Sequence, residues 1–349
     1  MSLYAERLKL VLEPGIAVTT AAASHLNVPD PLRKLLPAHR RFPPLPNRWE
    51  GQLDLVHLTD IYVGVHAGRF DATRVTTVHD VIPLDHATWY PIAHARWRLS
   101  YKRSVRGLKH ADLVVTPSED ARRRLLSLAD LDPARVQSVP ILVPDSFFPP
   151  PPDAERREGV ILSLGTTAPY KNLDVLFHAL TRPELRGVRV IRVGSPLDNE
   201  LPALVRKLGV EARIEDLGEV TEARLIELLH TATILAQPSQ DEGFGMPVSE
   251  AMATGLPVVA SDGGAIPEVL GGAGRIVSIR KKGPGPTNMD DVRDYAAALA
   301  EVLEDSAERA HMAAAGIEQA ERFRREPVRE ALLRAYATAT GFAKARSGP

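Results

Sequence analysis

Four short runs in the second half of the chain limit its fold more than any other feature: VILSLG (160–165), VRVIRVG (188–194), TILAQPS (233–239) and LPVVAS (256–261). Each is apolar and β-branched and stops at Gly, Ser or Pro, the pattern of a strand buried on both faces of a parallel sheet. Helical spacing fills the gaps between them. In NLDVLFHAL, Leu173, Leu176, Phe177 and Leu180 recur behind Asn172, an expected N-cap, and Thr221 holds the same place before EARLIELLHTA. Regular alternation of strand, loop and helix implies an open, doubly wound α/β sheet.

The first half is less regular. Strands are expected at LKLVL, DLVHLT, RVTTVHDV and ADLVVTPS, while residues 26–50 are rich in Pro and Arg without a clear period. A length of 349 residues suggests two domains. Pro149 to Pro152, followed by the charged DAERREG, mark the expected junction, because consecutive prolines fit neither helix nor sheet. The expected division is a shorter α/β lobe over 1–150, a second over 151–325, and a helix over 326–349 packing back toward the first. The first 150 residues carry 19 basic and 15 acidic side chains and the remainder 24 and 29, so the two lobes are suited to different ligands. Over the whole chain, 43 Lys+Arg against 44 Asp+Glu leave no charge excess for general nucleic-acid binding. The absence of cysteine excludes disulfides, thiolate metal sites and cysteine nucleophiles, and makes an intracellular, cytoplasmic protein the simplest reading. No apolar run approaches the length of a membrane span.

The most informative stretch is Asp241 to Ser261, DEGFGMPVSEAMATGLPVVAS, immediately after a strand. Glu242 falls on a loop with Gly243 and Gly245. Glu250 is expected in the first turn of a helix that Pro247 opens and Gly255 closes. Loop amides and a helix N-terminus form an anion site, and a carboxylate beside them is suited to accept hydrogen bonds from hydroxyl groups.

The segment resembles the donor-sugar signature of the family-4 retaining glycosyltransferases of GT-B fold, in which two Glu flank GFGxPxx and the helix continues EAMAxGxPV. The resemblance runs from about Val160 to Val277, through VILSLGTTAPYKN, DLGEVTEARL and GGAIPEVLGGAGRIV. It is weaker earlier, where VHDVIPL, Trp89-Tyr90-Pro91 and ADLVVTPSEDARRRL look like the acceptor lobe of a subgroup that includes bacterial mannosyltransferases of polysaccharide assembly. The implied fold is two Rossmann-like domains facing across a cleft, the first shorter than usual. The implied reaction is transfer of a hexose from GDP-mannose or a UDP-sugar to a glycan, lipid-linked or small-molecule acceptor, with retention.

Carried over by position, the resemblance gives Glu242 the hydroxyls of the transferring sugar and Glu250 the ribose. Gly243, Phe244, Gly245 and Met246 would contact sugar and diphosphate through backbone amides, and Lys171 would neutralise the diphosphate. Gly165 and Val220 join the donor set. Where many members have a second cation, this chain has Thr166 or Tyr170, which leaves Arg192 and Arg275 as substitutes by composition alone. His79, at a strand end, would face the anomeric carbon, with Asp80 capping the next turn or orienting it. Gly15 would admit the phosphates, although the usual second adjacent glycine is absent.

No His/Asp/Glu cluster at metal-ligand spacing is visible, so metal-independent transfer without a cofactor is expected. Residues 94–109 form a basic amphipathic helix, read first as a core-packed helix with a solvated cationic face and second as a peripheral contact with the inner face of an anionic membrane or a lipid pyrophosphate. A non-catalytic nucleotide-sugar-binding subunit and a GT-B nucleotide-sugar epimerase remain as alternatives.

Overall fold

A computed structural model of the chain describes residues 3–13, 16, 53–61, 67–85, 95–151, 154–198, 200–280, 283 and 285–347. The chain divides into two compact units, Met1–Leu142 with Arg325–Pro349, and Val143–Arg324.

The described elements of the first unit begin with α1 (Leu3–Leu12), β1 (Leu55–Leu58), β2 (Thr73–Thr77), α2 (Ile82–Asp85), α3 (Ala95–Gly107), β3 (Leu113–Thr116), α4 (Glu119–Leu128) and β4 (Val136–Ser138). The strands are parallel and lie in chain order, β1-β2-β3-β4. Val75, Leu113 and Val115 pack on one side with Val11 and Leu12 of α1. Val114 faces the other way, toward Tyr101 and Val105 of α3 and Leu125 of α4. Covering on both faces explains why every residue of β3 is buried.

The expected strand at LKLVL is instead the end of α1. A run of five apolar and basic residues fits either period, and the wider spacing decides it: Arg7 and Val11 are buried on one face, and Arg7 Nη1 donates to Leu142 O at 2.9 Å.

The second unit contains β5 (Val160–Leu164), α5 (Leu173–Ala179), β6 (Arg189–Val193), α6 (Leu201–Leu208), β7 (Ile214–Asp216), α7 (Glu222–Thr231), β8 (Ile234–Gln237), α8 (Met246–Ala253), β9 (Val258–Ser261), α9 (Ile266–Leu270), β10 (Arg275–Val277), α10 (Met289–Glu304) and α11 (Ser306–Ala320). Its parallel sheet has the order β10-β9-β8-β5-β6-β7. Every residue of β5, β8 and β9 is buried. The four runs read from the sequence are β5, β6, β8 and β9. The sequence does not announce β4, β7 or β10, each three residues long and only partly buried. Chain order reverses between β5 and β8, so the loops leaving their carboxyl ends diverge to opposite faces and open a crevice between them, the usual ligand position in such sheets.

The last helix, α12 (Arg325–Ser347), belongs to the first unit and buries Leu332, Ala335 and Ala339 in the cluster that holds Val75 and Leu113. The junction expected at Pro149 to Pro152 differs from the observed division, since the chain passes between units at Leu142/Val143 and again at Arg324/Arg325. The physical reason is burial ahead of the prolines: Val143 and Phe147 are 0% and 1% exposed. Val143 N–H donates to Phe323 O at 2.9 Å, and the Arg324 guanidinium donates to the carbonyls of Pro144 and Phe147. The charged segment after the prolines is not a free linker either. Arg156 donates to the carbonyls of Leu229, His230 and Ala232 at the end of α7 and of Thr254 and Gly255 at the end of α8, which places a cation on two helix C-termini. Burial lowers its pKa to about 10.

Candidate donor site

The loops after β5 and β8 meet at the crevice. Asn172, between Lys171 and α5, adopts φ 56, a left-handed backbone that few non-glycine residues take. Its side chain does not cap α5 as the sequence suggests. Asn172 Nδ2 donates to Pro238 O at 3.1 Å, and Oδ1 accepts from Gln240 Nε2 at 3.1 Å, while Gln240 N–H donates to Tyr170 O at 2.7 Å. These bonds fasten the lysine loop to the glutamate loop.

The two charged side chains are thereby brought together, with Lys171 Nζ 2.7 Å from Glu242 Oε1 and only 12% and 9% of the side chains exposed. The same oxygen accepts from Gln237 Nε2 at 2.7 Å and from Ser239 Oγ at 2.7 Å. Three donors on one oxygen fix the position of the carboxylate. Oε2 has no hydrogen-bond partner among the described residues, and it is not one of the sealed polar atoms, so it remains open to accept from a ligand. Lys171 likewise has donors to offer, since an ammonium carries three and one serves Glu242.

Below this pair, Gly165 has φ +127, with Lys171 Nζ 3.6 Å from where its Cβ would be. Gly165 O accepts from Arg192 Nη2 at 3.1 Å, while Arg192 Nη1 pairs with Asp216 Oδ1 at 2.7 Å. Arg192 is 1% exposed and supports the loop from beneath. Arg275, on β10, pairs with Glu301 of α10 and Glu308 of α11. Neither arginine stands beside Lys171 as a second free cation.

After Glu242 the chain passes Gly243, half-buried, and Phe244, 5% exposed and edge-to-face with Phe323 at 5.4 Å. Gly245 then caps α8 with φ 97. The helix begins at Met246, so Pro247 occupies the second position and Glu250 the second turn rather than the first; Glu250 is 5% exposed. The α8 N-terminus follows directly on the loop that carries Glu242; there Val248 and Ser249 N–H donate to Gly245 O and Pro247 has no N–H, so the helix offers the positive end of its dipole. Val220 is half-buried in the turn between β7 and α7. Gly15 lies outside the described residues.

The sequence reading passed over several residues that build this site. Gln237 and Ser239 hold Glu242, Asn172 and Gln240 join the loops, and Gly263 and Gly264 form the floor. A Cβ at Gly264 would fall 2.3 Å from Glu242 O, and one at Gly263 2.3 Å from Ser239 O. The signal for them was the GG pair after β9, whose backbone approach excludes any side chain.

His79 stands in the first unit, two residues past β2, and its Nε2 donates to Thr59 O at 2.8 Å. Asp80 Oδ1 accepts from Ile82 N–H at 3.1 Å and so caps the next turn. In α3, Tyr101, Ser104 and Val105 are buried, with Leu108 just beyond, and Lys102, Arg103, Arg106 and Lys109 are exposed; the side chains of Arg96, Trp97 and Arg98 are not described. Among the described residues no group of three or more His, Asp and Glu could hold a metal ion, and no helix is long and apolar enough to cross a membrane.

Comparison with known proteins bears on this geometry. The family model described as Glycosyl transferases group 1 matches residues 147–319, and that described as Glycosyltransferase Family 4 matches residues 5–147. A D-inositol 3-phosphate glycosyltransferase of Xylanimonas cellulosilytica is 30% identical over 327 residues, covering 86% of this chain and 75% of its own. The O-antigen chain mannosyltransferase B of Escherichia coli is 28% identical over 281 residues, 75% of this chain and 69% of its own. Other D-inositol 3-phosphate glycosyltransferases are matched over 51% to 53% of their length, so the chain spans about half of these relatives. The solved structure of Anabaena HepE in complex with UDP and glucose superimposes with a TM-score of 0.65 at 21% identity, covering 81% of this chain and 77% of that one. The shared fold is that of the GT-B glycosyltransferases. With two family models running nearly end to end and a relative matched over three quarters of its length, the chain belongs to the group 1, family 4 glycosyltransferases.

Proposed function

We propose that the chain is a retaining, metal-independent glycosyltransferase that moves a hexose from a nucleotide-diphosphate sugar, GDP-mannose or a UDP-sugar, to an acceptor hydroxyl of a glycan, lipid-linked or small-molecule acceptor. The observation that carries the proposal is the Glu242 carboxylate, held at Oε1 by Lys171, Gln237 and Ser239 with Oε2 open, beside the N-terminus of α8.

Breaking an anomeric C–O bond builds positive charge on the sugar and negative charge on the departing diphosphate. Glu242 Oε2 accepts from sugar hydroxyls and fixes the ring. The two remaining Lys171 donors and the positive end of the α8 dipole take the diphosphate, where they counter the charge that grows as the bond breaks. Glu250 is assigned to the ribose, the Gly243–Met246 backbone to sugar and phosphate, Gly165 and Val220 to the donor pocket, and His79 to the reacting sugar. The acceptor attacks the face from which the diphosphate leaves, and a leaving-phosphate oxygen takes the acceptor proton. The UDP and glucose named for HepE, and the mannosyl and inositol phosphate chemistry named for the relatives, support this donor and acceptor class.

Incubation of the purified chain with GDP-mannose and UDP-glucose, with and without acceptors, tests the reading. Release of nucleoside diphosphate that requires Glu242 and survives excess chelator supports it. Donor binding without turnover identifies a binding subunit, and turnover restored only by Mg²⁺ or Mn²⁺ overturns metal independence. The exposed cations of α3 support a peripheral contact with an anionic membrane; sedimentation with phosphatidylglycerol vesicles but not phosphatidylcholine vesicles is the expected result, and equal behaviour with both excludes it.

A further inference from the structure

Inside the first unit, a line of neutral polar side chains runs from the last helix to the ring of His79. Tyr336, on α12, lies with its hydroxyl 2.8 Å from His57 Nδ1. His57 Nε2 is 2.7 Å from Thr77 Oγ1, and the Thr77 hydroxyl donates to the Tyr4 hydroxyl at 3.2 Å. The Tyr4 ring meets the His79 ring edge-to-face, with centroids 4.6 Å apart and planes at 83°. Four elements contribute, α1, β1, β2 and α12, and all belong to one unit.

The donor and acceptor directions agree along the whole line. Tyr336 O–H donates to His57 Nδ1, His57 Nε2–H donates to Thr77, and Thr77 donates to Tyr4, so each group is satisfied without a charge. Burial lowers the His57 pKa to about 3 and raises that of Tyr4 to about 12, and Tyr336 is raised as well, which keeps all three neutral. At the end of the line, His79 donates Nε2–H to Thr59 O, and among the described residues its Nδ1 has no partner. One ring nitrogen is thus fixed by a backbone carbonyl, the ring tilt by Tyr4, and Tyr4 by a chain that ends at Tyr336, near the other end of the sequence.

We propose that Tyr4, Thr77, His57 and Tyr336 are positioning residues that hold the tilt of His79 and so keep its Nε2–H on Thr59 O, with Nδ1 presented to a hydroxyl of the reacting sugar. The inference rests on the glycosyl-transfer reading for what His79 does, but not for how it is held.

The experiment pairs ring ¹⁵N NMR of His79 with transfer kinetics in Tyr4→Leu, Tyr4→Phe, Tyr336→Phe and the double Phe variant. At a pH where His79 is neutral, the wild type is expected to show a single Nε2–H tautomer. Tyr4→Leu should mix the tautomers and lower kcat by about tenfold to a hundredfold, with donor KM changed less than about threefold, because misplacing a reacting group costs rate rather than affinity. The two single Phe variants keep the ring and should lose only a few fold, and the double should be no worse than either single, since both break one chain. An unchanged His79 spectrum and kcat in Tyr4→Leu with only a lowered Tm, or additive Phe effects, overturns the proposal. If the wild type turns over no donor, the transfer reading fails while the NMR comparison still decides whether Tyr4 orients His79.

Discussion

The two units hold their candidate functional side chains by opposite means. In the second, a carboxylate and an ammonium meet directly at a switch point, with three donors on one oxygen. In the first, the described strands lie in chain order, and the histidine at a strand end is steadied by uncharged neighbours. A site that meets phosphate gains from fixed charge, whereas a group that meets a sugar hydroxyl needs a fixed lone pair and no net charge nearby.

Substitutions that remove the charge should have the largest effect. Glu242→Ala and Lys171→Ala are each expected to lower transfer by about a hundredfold to a thousandfold with the fold intact, the scale for removing a group aimed at developing charge. Circular dichroism and steady-state kinetics check this, and near-wild-type activity in either variant would remove the basis of the comparison. Gly264→Ala places a Cβ 2.3 Å from Glu242 O at φ +58, so it should destabilise the second unit by about 1–3 kcal/mol and displace the glutamate loop. Denaturant melting is the measurement, and an unchanged midpoint would show that the floor yields.

Ser239→Ala sharpens the same contrast. Losing one of three donors to Glu242 should reduce transfer about tenfold, because a hydrogen bond to a charged group is worth about 1.5–3 kcal/mol. A larger loss than in Lys171→Ala would reverse the ranking of charge over dipole.

The first unit offers a pH test. His57 has its folded pKa lowered from 6.5 to about 3, so between those values the unfolded chain binds a proton that the folded chain refuses. The contribution is full above pH 6.5 and fades as pH falls toward about 3. The Tm of wild type should therefore fall more steeply over that window than the Tm of His57→Gln, and parallel curves would contradict a buried neutral ring. The smallest effect is expected at Arg275→Ala, whose pairs with Glu301 and Glu308 are solvent-exposed: about 0.5 kcal/mol or less and unchanged transfer.

The difference between the units also explains what the sequence disclosed. Glu242, Gly245 and Lys171 are legible because a loop of glycines between a buried strand and a helix has few other uses. The strands β5, β6, β8 and β9 are legible for the same local reason, unbroken apolar runs with sharp ends. Gln237 and Asn172 are not, since amides on strand ends and turns are common, and the Pro238 carbonyl that Asn172 meets lies far along the chain. The line from Tyr336 to Tyr4 is harder still, for it joins residues from both ends of the sequence and carries no charge to mark it. LKLVL misleads because five residues cannot separate a period of two from one of 3.6, and the proline run misleads because burial of Phe147 sets the crossing earlier.

Calorimetric titration of the wild type, Glu242→Ala and Lys171→Ala with a nucleotide sugar and with its nucleoside diphosphate alone tests the central claim most directly. Glu242→Ala is expected to weaken the sugar-bearing ligand while leaving the diphosphate almost untouched, and Lys171→Ala to weaken both. Equal affinities across all three proteins, or a loss in Glu242→Ala that is the same for both ligands, would contradict the assignment of sugar to one side chain and phosphate to the other.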